Sequence, residues 1–438
     1  MASKEKQIKN SLIYLLPVFI GNLIPLAMLS IFTRILTKED YGVLGLAQVY
    51  AIFASGLANF GLTVGYERNF FQYIELKKAS ELLYSTLAFV ISGFLVVVVL
   101  TYLFKSHLAK WIIGSSVHSD ILFWALCSTG IMGLKNYYLT YFKNTENAKS
   151  FAWYTIDESI LGVVMSLFLV VYLRTGIIGL VWGQLFASLT IFLILGFNFL
   201  KIYPVRFNWG ILKESLKLSY PLTPKIFLGV IGNQFDKYLI GLLATVGGVG
   251  IYSIGQKVAG VVFTFMGAIQ NVYSPQVYKR MFNLGQKGGE SVGRYMTPFA
   301  YISIAVALLI SLFSEEVISL LTPEPYHGAI DIVIVLSMFY GSWVFGKQPQ
   351  LIYVKKTHIS SLLSVVIIVL NVLINIPFIM KWGAIGAAWG TLLAGLISGV
   401  IAFVVSQHYY KIEWEYKKIF AIFFVFFASS ILMILLRN

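Results

Sequence analysis

Apolar runs of about twenty or more residues, set apart by short polar punctuation, recur along the whole chain. A helix crossing the hydrocarbon layer needs about 20 such residues, because lipid offers no partner for backbone N–H and C=O groups. On this pattern the sequence predicts spans near 11–36, 42–65, 83–104, 120–143, 152–173, 177–200, 217–245, 249–275, 295–321, 328–354, 358–380, 383–408 and 416–436. Two segments between spans, 66–82 and 207–216, read as interfacial helices that serve chiefly as connections. Lys4, Lys6 and Lys9 precede the first run, which reaches Leu36 without a small-residue cleavage pattern, so a first span is expected there rather than a secretory leader.

Composition agrees with lipid as the solvent: 58% of the 438 residues are hydrophobic and 12% are charged. The net charge of +14 is scattered through short loops instead of being gathered in one soluble domain, which argues against a nucleic-acid partner. Topology accounts for it. With a cytoplasmic N-terminus, 21 of the 33 Lys and Arg fall inside, 7 outside and 5 within spans, as the positive-inside rule requires. An odd number of spans then puts the C-terminus outside.

The second half of the chain echoes the first. Residues 176–189 (GIIGLVWGQLFASL) and 383–396 (GAIGAAWGTLLAGL) match at 8 of 14 positions at an offset of 207, and Gly42–Gln48 answers Gly250–Gln256 at an offset of 208. Two nearly equal offsets indicate duplication of a six-span unit, and an even number of spans per unit makes the halves parallel. The expected architecture is therefore an all-α polytopic membrane protein of two six-helix lobes, 1–206 and 207–410, followed by an extra transmembrane helix in 411–438. Single glycines in these motifs are first of all close-packing residues, as any membrane bundle requires.

Charges inside spans are costly, about 2.5–3.5 kcal/mol each on insertion scales, so each needs an account. Lys135 lies at a depth similar to that of Asp157 and Glu158 on the next span, where a buried ion pair can form. Asp236 is placed to neutralise either Lys237 or Lys257. Lys225 and Lys347 have no acidic residue at their level in their own spans, and are the leading candidates for an anion site facing a cavity. A lysine seated in a low dielectric attracts a phosphate strongly. Lys225 and Asp236, eleven residues apart, share one helix face, and Pro221 and Pro224 are placed to bend that helix.

Enzyme chemistry finds no support. Cys127 is the only cysteine and lies in an apolar run, so neither an intrachain disulfide nor a thiolate metal site is available. No phosphate-cradling glycine loop, zinc-ligand spacing or nucleophile elbow occurs, and Gly247–Gly250 reads as a short outer turn. The longest outer loop, 105–119, holds His107 and His118 but no acidic pair suited to glycosyl transfer. A transporter without cofactor or metal is expected.

Several fragments, in order, carry a family resemblance: Thr33-Arg34-Ile35-Leu36 with Tyr41-Gly42, Tyr220-Pro221-Leu222, Asp236 to Gly241 (DKYLIG), Val249 to Ser253 (VGIYS), Lys355-Lys356-Thr357, Asn371, and Gly383 to Ala388 (GAIGAA). Together the chain resembles the polysaccharide flippases of the multidrug/oligosaccharidyl-lipid/polysaccharide (MOP) exporter superfamily, the Wzx-like O-antigen flippases in particular. The resemblance implies two lobes around a cationic cavity, alternating access in a bacterial inner membrane, and an undecaprenyl-pyrophosphate-linked oligosaccharide as cargo. It also implies a glycan polymerase and a chain-length regulator as partners, and it marks Arg34 and Arg68 as basic residues near the ends of the first two spans. The expected site is then Lys225 and Lys347 with help from Lys135, Arg34 and Arg68. The rival reading of the same fold is an ion-coupled drug exporter, with Asp157, Glu158 or Asp236 as the coupling carboxylate.

Overall fold

The computed structural model describes residues 17, 20, 21, 23–73, 76–203, 205–343 and 349–437. Among these the chain is helical, without a strand: α1 (Leu29–Phe32), α2 (Lys38–Asn59), α3 (Leu62–Phe70), α4 (Leu76–Ile112), α5 (Ser119–Asn144), α6 (Ala148–Leu167), α7 (Ile177–Ile202), α8 (Trp209–Ser219), α9 (Thr223–Leu243), α10 (Val246–Leu284), α11 (Gly289–Leu312), α12 (Ser314–Leu321), α13 (Ala329–Ser342), α14 (Pro349–Tyr353), α15 (Thr357–Tyr409) and α16 (Tyr416–Arg437). Nine of the described helices are long and apolar enough to cross a membrane. Residues 11–16, 18, 19 and 22 of the first expected span lie outside the described residues, and α15 joins two expected spans across Gly383. The chain is a multi-pass membrane protein.

Its contacts divide it into two units, Met1–Val230 and Ile231–Asn438. The division falls inside α9, downstream of the 206/207 boundary expected from the repeat. In the first unit α5 packs on α2 and α7, and α6 lies against α7. In the second unit α13 is the central helix, with α10, α11 and α15 around it. Residues of α13 from Ala329 to Met338 are almost all buried, in keeping with its central place and with its apolar sequence after Asp331. The extra helix α16 packs on α11 and α13 and so belongs to the second unit. Arg437 near its end meets Asp331 at 2.6 Å and Glu315 at 3.4 Å, so the chain terminus shares a membrane side with the α11–α13 connection.

The duplication is visible as repeated backbone punctuation. Thr37 caps α2 by accepting from the Asp40 amide at 3.1 Å, and Thr245, 208 residues later, caps α10 by accepting from the Gly248 amide at 3.0 Å. Such caps satisfy amides that a helix start leaves orphaned. Glu146 and Lys355 both take left-handed φ at the ends of corresponding helices. Gly176 (φ 66°, ψ −150°) and Gly383 (φ 61°, ψ −134°) sit in one unusual conformation that L side chains avoid. The matched glycines beyond them allow close crossing: a Cβ at Gly183 would run into Ser166, and one at Gly390 into Asn375.

Of the segments expected at the interface, 207–216 falls largely in α8, whereas 66–82 is divided between the end of α3 and the first turns of α4; the end of α3 and the residues after it clamp onto α8. Buried Asn69 donates to Ser215 Oγ at 2.9 Å, Gln72 donates to Glu214 at 3.1 Å, and Tyr73 donates to Glu214 at 2.5 Å. Desolvation, helped by the Glu214 carboxylate, pushes the Tyr73 phenol up to about 12.

Candidate functional site

Within the second unit, α10, α13, α15 and α16 enclose a cavity of about 970 Å³. Its walls are mostly aromatic and aliphatic, including Phe263, Phe339, Tyr340, Trp343, Phe420 and Phe423. The rings hold one another in place: Phe263 and Trp343 lie 4.9 Å apart between centroids, and Phe339 and Tyr340 lie 5.3 Å apart. Among the described residues Lys417 is the one cation in the lining, and Asp236 the one carboxylate.

Asp236 is 4% exposed on α9. Three uncharged donors serve it: Tyr252 Oη at 2.9 Å, Asn375 Nδ2 at 2.9 Å and Thr391 Oγ1 at 3.0 Å. They come from α10 and from both sides of the Gly383 break in α15, so the break brings two arms of one polar site together. Asn371 adds a longer contact to Thr391 at 3.4 Å. Asn375 Oδ1 is buried and meets no donor among the described residues. A carboxylate beside an unused amide oxygen concentrates acceptors in one place, and burying an acceptor unmatched costs free energy.

Among the described residues Asp236 forms no direct ion pair with Lys237 or Lys257, although Lys237 is near enough to act on it electrostatically. Successive residues on a helix point about 100° apart, and Lys237 turns toward Gln234, 3.4 Å away. Lys257 is exposed on α10. Among the described residues neither lysine lies within ion-pair distance of Asp236.

The first unit holds a different arrangement. Lys135, 3% exposed on α5, forms an ion pair with Glu158 of α6, and Ser188 of α7 donates to the other Glu158 oxygen at 2.6 Å. Asp157 points outward and takes no part. Because Glu158 engages Lys135, this lysine is not a spare charge for a phosphate, contrary to the supporting role expected for it.

The remaining sequence candidates are placed as follows. Arg34 is exposed after α1 and donates back to the Ser30 carbonyl. Arg68 is exposed on α3, donating to Asn69 at 2.8 Å and Gln72 at 2.6 Å. Lys225 lies on α9 with its side chain outside the described set, and Lys347 lies outside the described residues altogether. Sequence reasoning missed Tyr252, Asn375, Thr391 and Ser188. The available signals were Asn371 and Asn375 one helical turn apart in an apolar run, and Thr391 directly after the repeated Gly390.

Comparison with known proteins places this arrangement. A family described as polysaccharide biosynthesis protein matches residues 31–331, a stretch that includes both Lys135–Glu158 and Asp236–Tyr252. The probable low-salt glycan biosynthesis flippase Agl15 of Haloferax volcanii is 24% identical over 234 residues, 49% of this chain and 49% of its own. The chain thus spans about half the length of that curated relative. Among solved structures, the lipid II flippase MurJ in an inward closed conformation matches with a TM-score of 0.75 at 16% identity, over 98% of this chain and 93% of MurJ. An inward-facing MATE multidrug resistance transporter of the MOP superfamily matches with a TM-score of 0.64 at 16% identity, over 94% of this chain and 98% of that one. The fold is that of these transporters, and the chain belongs to the polysaccharide biosynthesis protein family.

Proposed function

We propose that the protein is a flippase, not an enzyme, which moves an undecaprenyl-pyrophosphate-linked oligosaccharide, such as an O-antigen or other surface-polysaccharide repeat unit, from the inner to the outer leaflet of a bacterial cytoplasmic membrane. The observation that carries the reading is the family match over residues 31–331 on a fold shared with a lipid II flippase. The N-terminus is cytoplasmic in this reading, as the distribution of Lys and Arg requires. Lys225 and Lys347 are offered as cations for the pyrophosphate on the sequence pattern alone. A glycan polymerase and a chain-length regulator would act on the delivered product.

Asp236 is the coupling carboxylate in this scheme. Within a membrane a buried ionisable group surrounded by neutral donors marks an ion or proton pathway, and the unused Asn375 oxygen beside it completes a site for a proton or a monovalent cation. Uptake of positive charge there would bias one conformation over another, which is how alternating access is driven by a gradient.

The test is deletion of the gene, with measurement of surface glycan and of lipid-linked glycan held on the cytoplasmic side. Loss outside with accumulation inside, restored by the wild-type gene and not by Asp236→Asn or the Lys225→Ala/Lys347→Ala pair, is the expected result. Normal surface glycan in a strain with no second flippase, together with altered sensitivity to organic cations, would overturn it in favour of drug export.

A further inference from the structure

A second site lies away from the Asp236 cavity, at the end of the second unit where α10 finishes and α11 begins. Arg280, Glu290, Ser291, Arg294 and Tyr295 line a recess of about 420 Å³ there. The Arg280 guanidinium lies 4.0 Å from the centroid of the Tyr295 ring, and that ring is itself held edge-on by Phe299 at 5.3 Å. A position over the ring gives the guanidinium no conventional acceptor for its N–H groups, because the ring face attracts only through its quadrupole. Among the described residues the Arg280 side chain makes no hydrogen bond and has no carboxylate within 4 Å. Arg294 shares the recess and is engaged by Glu290 at 2.6 Å. Glu290 engages Arg294 and Glu415 acts on it as well, so Arg280 is the guanidinium of the recess without a carboxylate at ion-pair distance among the described residues.

The frame is rigid. Tyr410 donates to the Gly285 carbonyl at 2.8 Å, and the Glu413 amide donates to the Gly289 carbonyl at 3.2 Å, pinning the turn between α10 and α11 to the segment before α16. Phe282 and Leu284, beside Arg280, are 69% and 49% exposed. A fixed, unsatisfied guanidinium next to exposed apolar side chains at the end of a membrane helix matches an anionic headgroup above and a hydrocarbon chain below.

We propose that this recess binds the phosphate of an anionic lipid, with Arg280 donating in bidentate fashion and Arg294 and Ser291 completing the contact. Bidentate guanidinium contacts to phosphate are among the stronger protein hydrogen bonds, and lysine does not reproduce their geometry. The ligand chemistry is a lipid phosphate. Its source is either a bulk acidic phospholipid or a polyprenyl phosphate carrier, and the site does not depend on the cargo proposed above.

Native mass spectrometry of the purified full-length protein tests this with three probes: phosphatidylglycerol, phosphatidylcholine and undecaprenyl phosphate. Wild type is expected to keep one anionic lipid through delipidation and to prefer it to phosphatidylcholine. Arg280→Gln is expected to weaken that binding about tenfold, with Arg280→Lys in between and with the unfolding temperature unchanged in both. Equal loss of phosphatidylglycerol and undecaprenyl phosphate assigns the site to any anionic lipid; loss of undecaprenyl phosphate alone assigns it to the carrier. Undiminished binding of both by the Arg280→Gln/Arg294→Gln double variant overturns the proposal.

Discussion

The buried polar groups of the two units solve one problem in different ways. In the first unit Lys135 and Glu158 cancel each other and Ser188 donates to the second Glu158 oxygen. In the second unit Asp236 is surrounded by neutral donors and has no lysine at ion-pair distance among the described residues. The two sites sit on a duplicated frame, with Gly176 and Gly383 breaking corresponding helices in the same conformation. Duplication has kept the backbone devices and let the polar chemistry diverge. A closed ion pair serves as an anchor, whereas the carboxylate with a spare acceptor beside it is the one to which the proposed function assigns coupling.

The largest expected effect comes from breaking the anchor. Glu158→Ala leaves the Lys135 ammonium buried without a counter-charge, which costs about 3–5 kcal/mol, seen as a large fall in the unfolding temperature of the purified protein. The double variant Lys135→Met/Glu158→Leu should recover most of that loss. If the double variant is as unstable as Glu158→Ala, the pair is not what holds α5 to α6. No comparable rescue is expected for Asp236, since its partners carry no charge.

Next in size is a contrast at the matched glycines. Gly183→Ala and Gly390→Ala each force a Cβ into a close crossing, at about 1–3 kcal/mol. Only Gly390→Ala pushes on Asn375 and hence on Asp236, so transport should fall further in that variant than its stability loss explains. Equal transport in the two variants would remove the distinction between the units.

Smaller still is Tyr252→Phe, which removes one of the three donors to Asp236. A loss of about 1.5 kcal/mol is expected, together with a shifted dependence of transport on the driving ion. Smallest is Lys143→Gln, which breaks an exposed pair with Glu67 at 2.8 Å. Its effect should stay below about 0.5 kcal/mol and leave transport intact, a baseline against which the buried substitutions are read.

Much of the architecture could be read along the chain because a bilayer imposes a local rule. Every span must satisfy its own backbone and present apolar side chains, so α4, α7 and α16 announce themselves by length and composition. Repeated Gly-x-x-Gly-x-x-Trp-Gly segments mark the duplication for the same reason: turn geometry is written in neighbouring residues. The Lys135–Glu158 pairing was also within reach, since adjacent antiparallel spans bring similar depths together.

The Asp236 site was not. Its donors stand 16, 139 and 155 residues away in sequence, on α10 and on both arms of the broken helix α15, and depth alone pointed to nearby lysines instead. Depth along a span follows from residue number, but the direction of a side chain around the helix acquires meaning only when neighbouring helices surround it. The sequence by itself determined a duplicated membrane bundle with a few charges that had to be justified; the tertiary packing decided which of those charges is locked in an ion pair and which faces a cavity with acceptors to spare. The physical reason is that hydrophobicity and capping act within a helix, whereas the partners of a buried charge are chosen by helices that the chain brings together only when it folds.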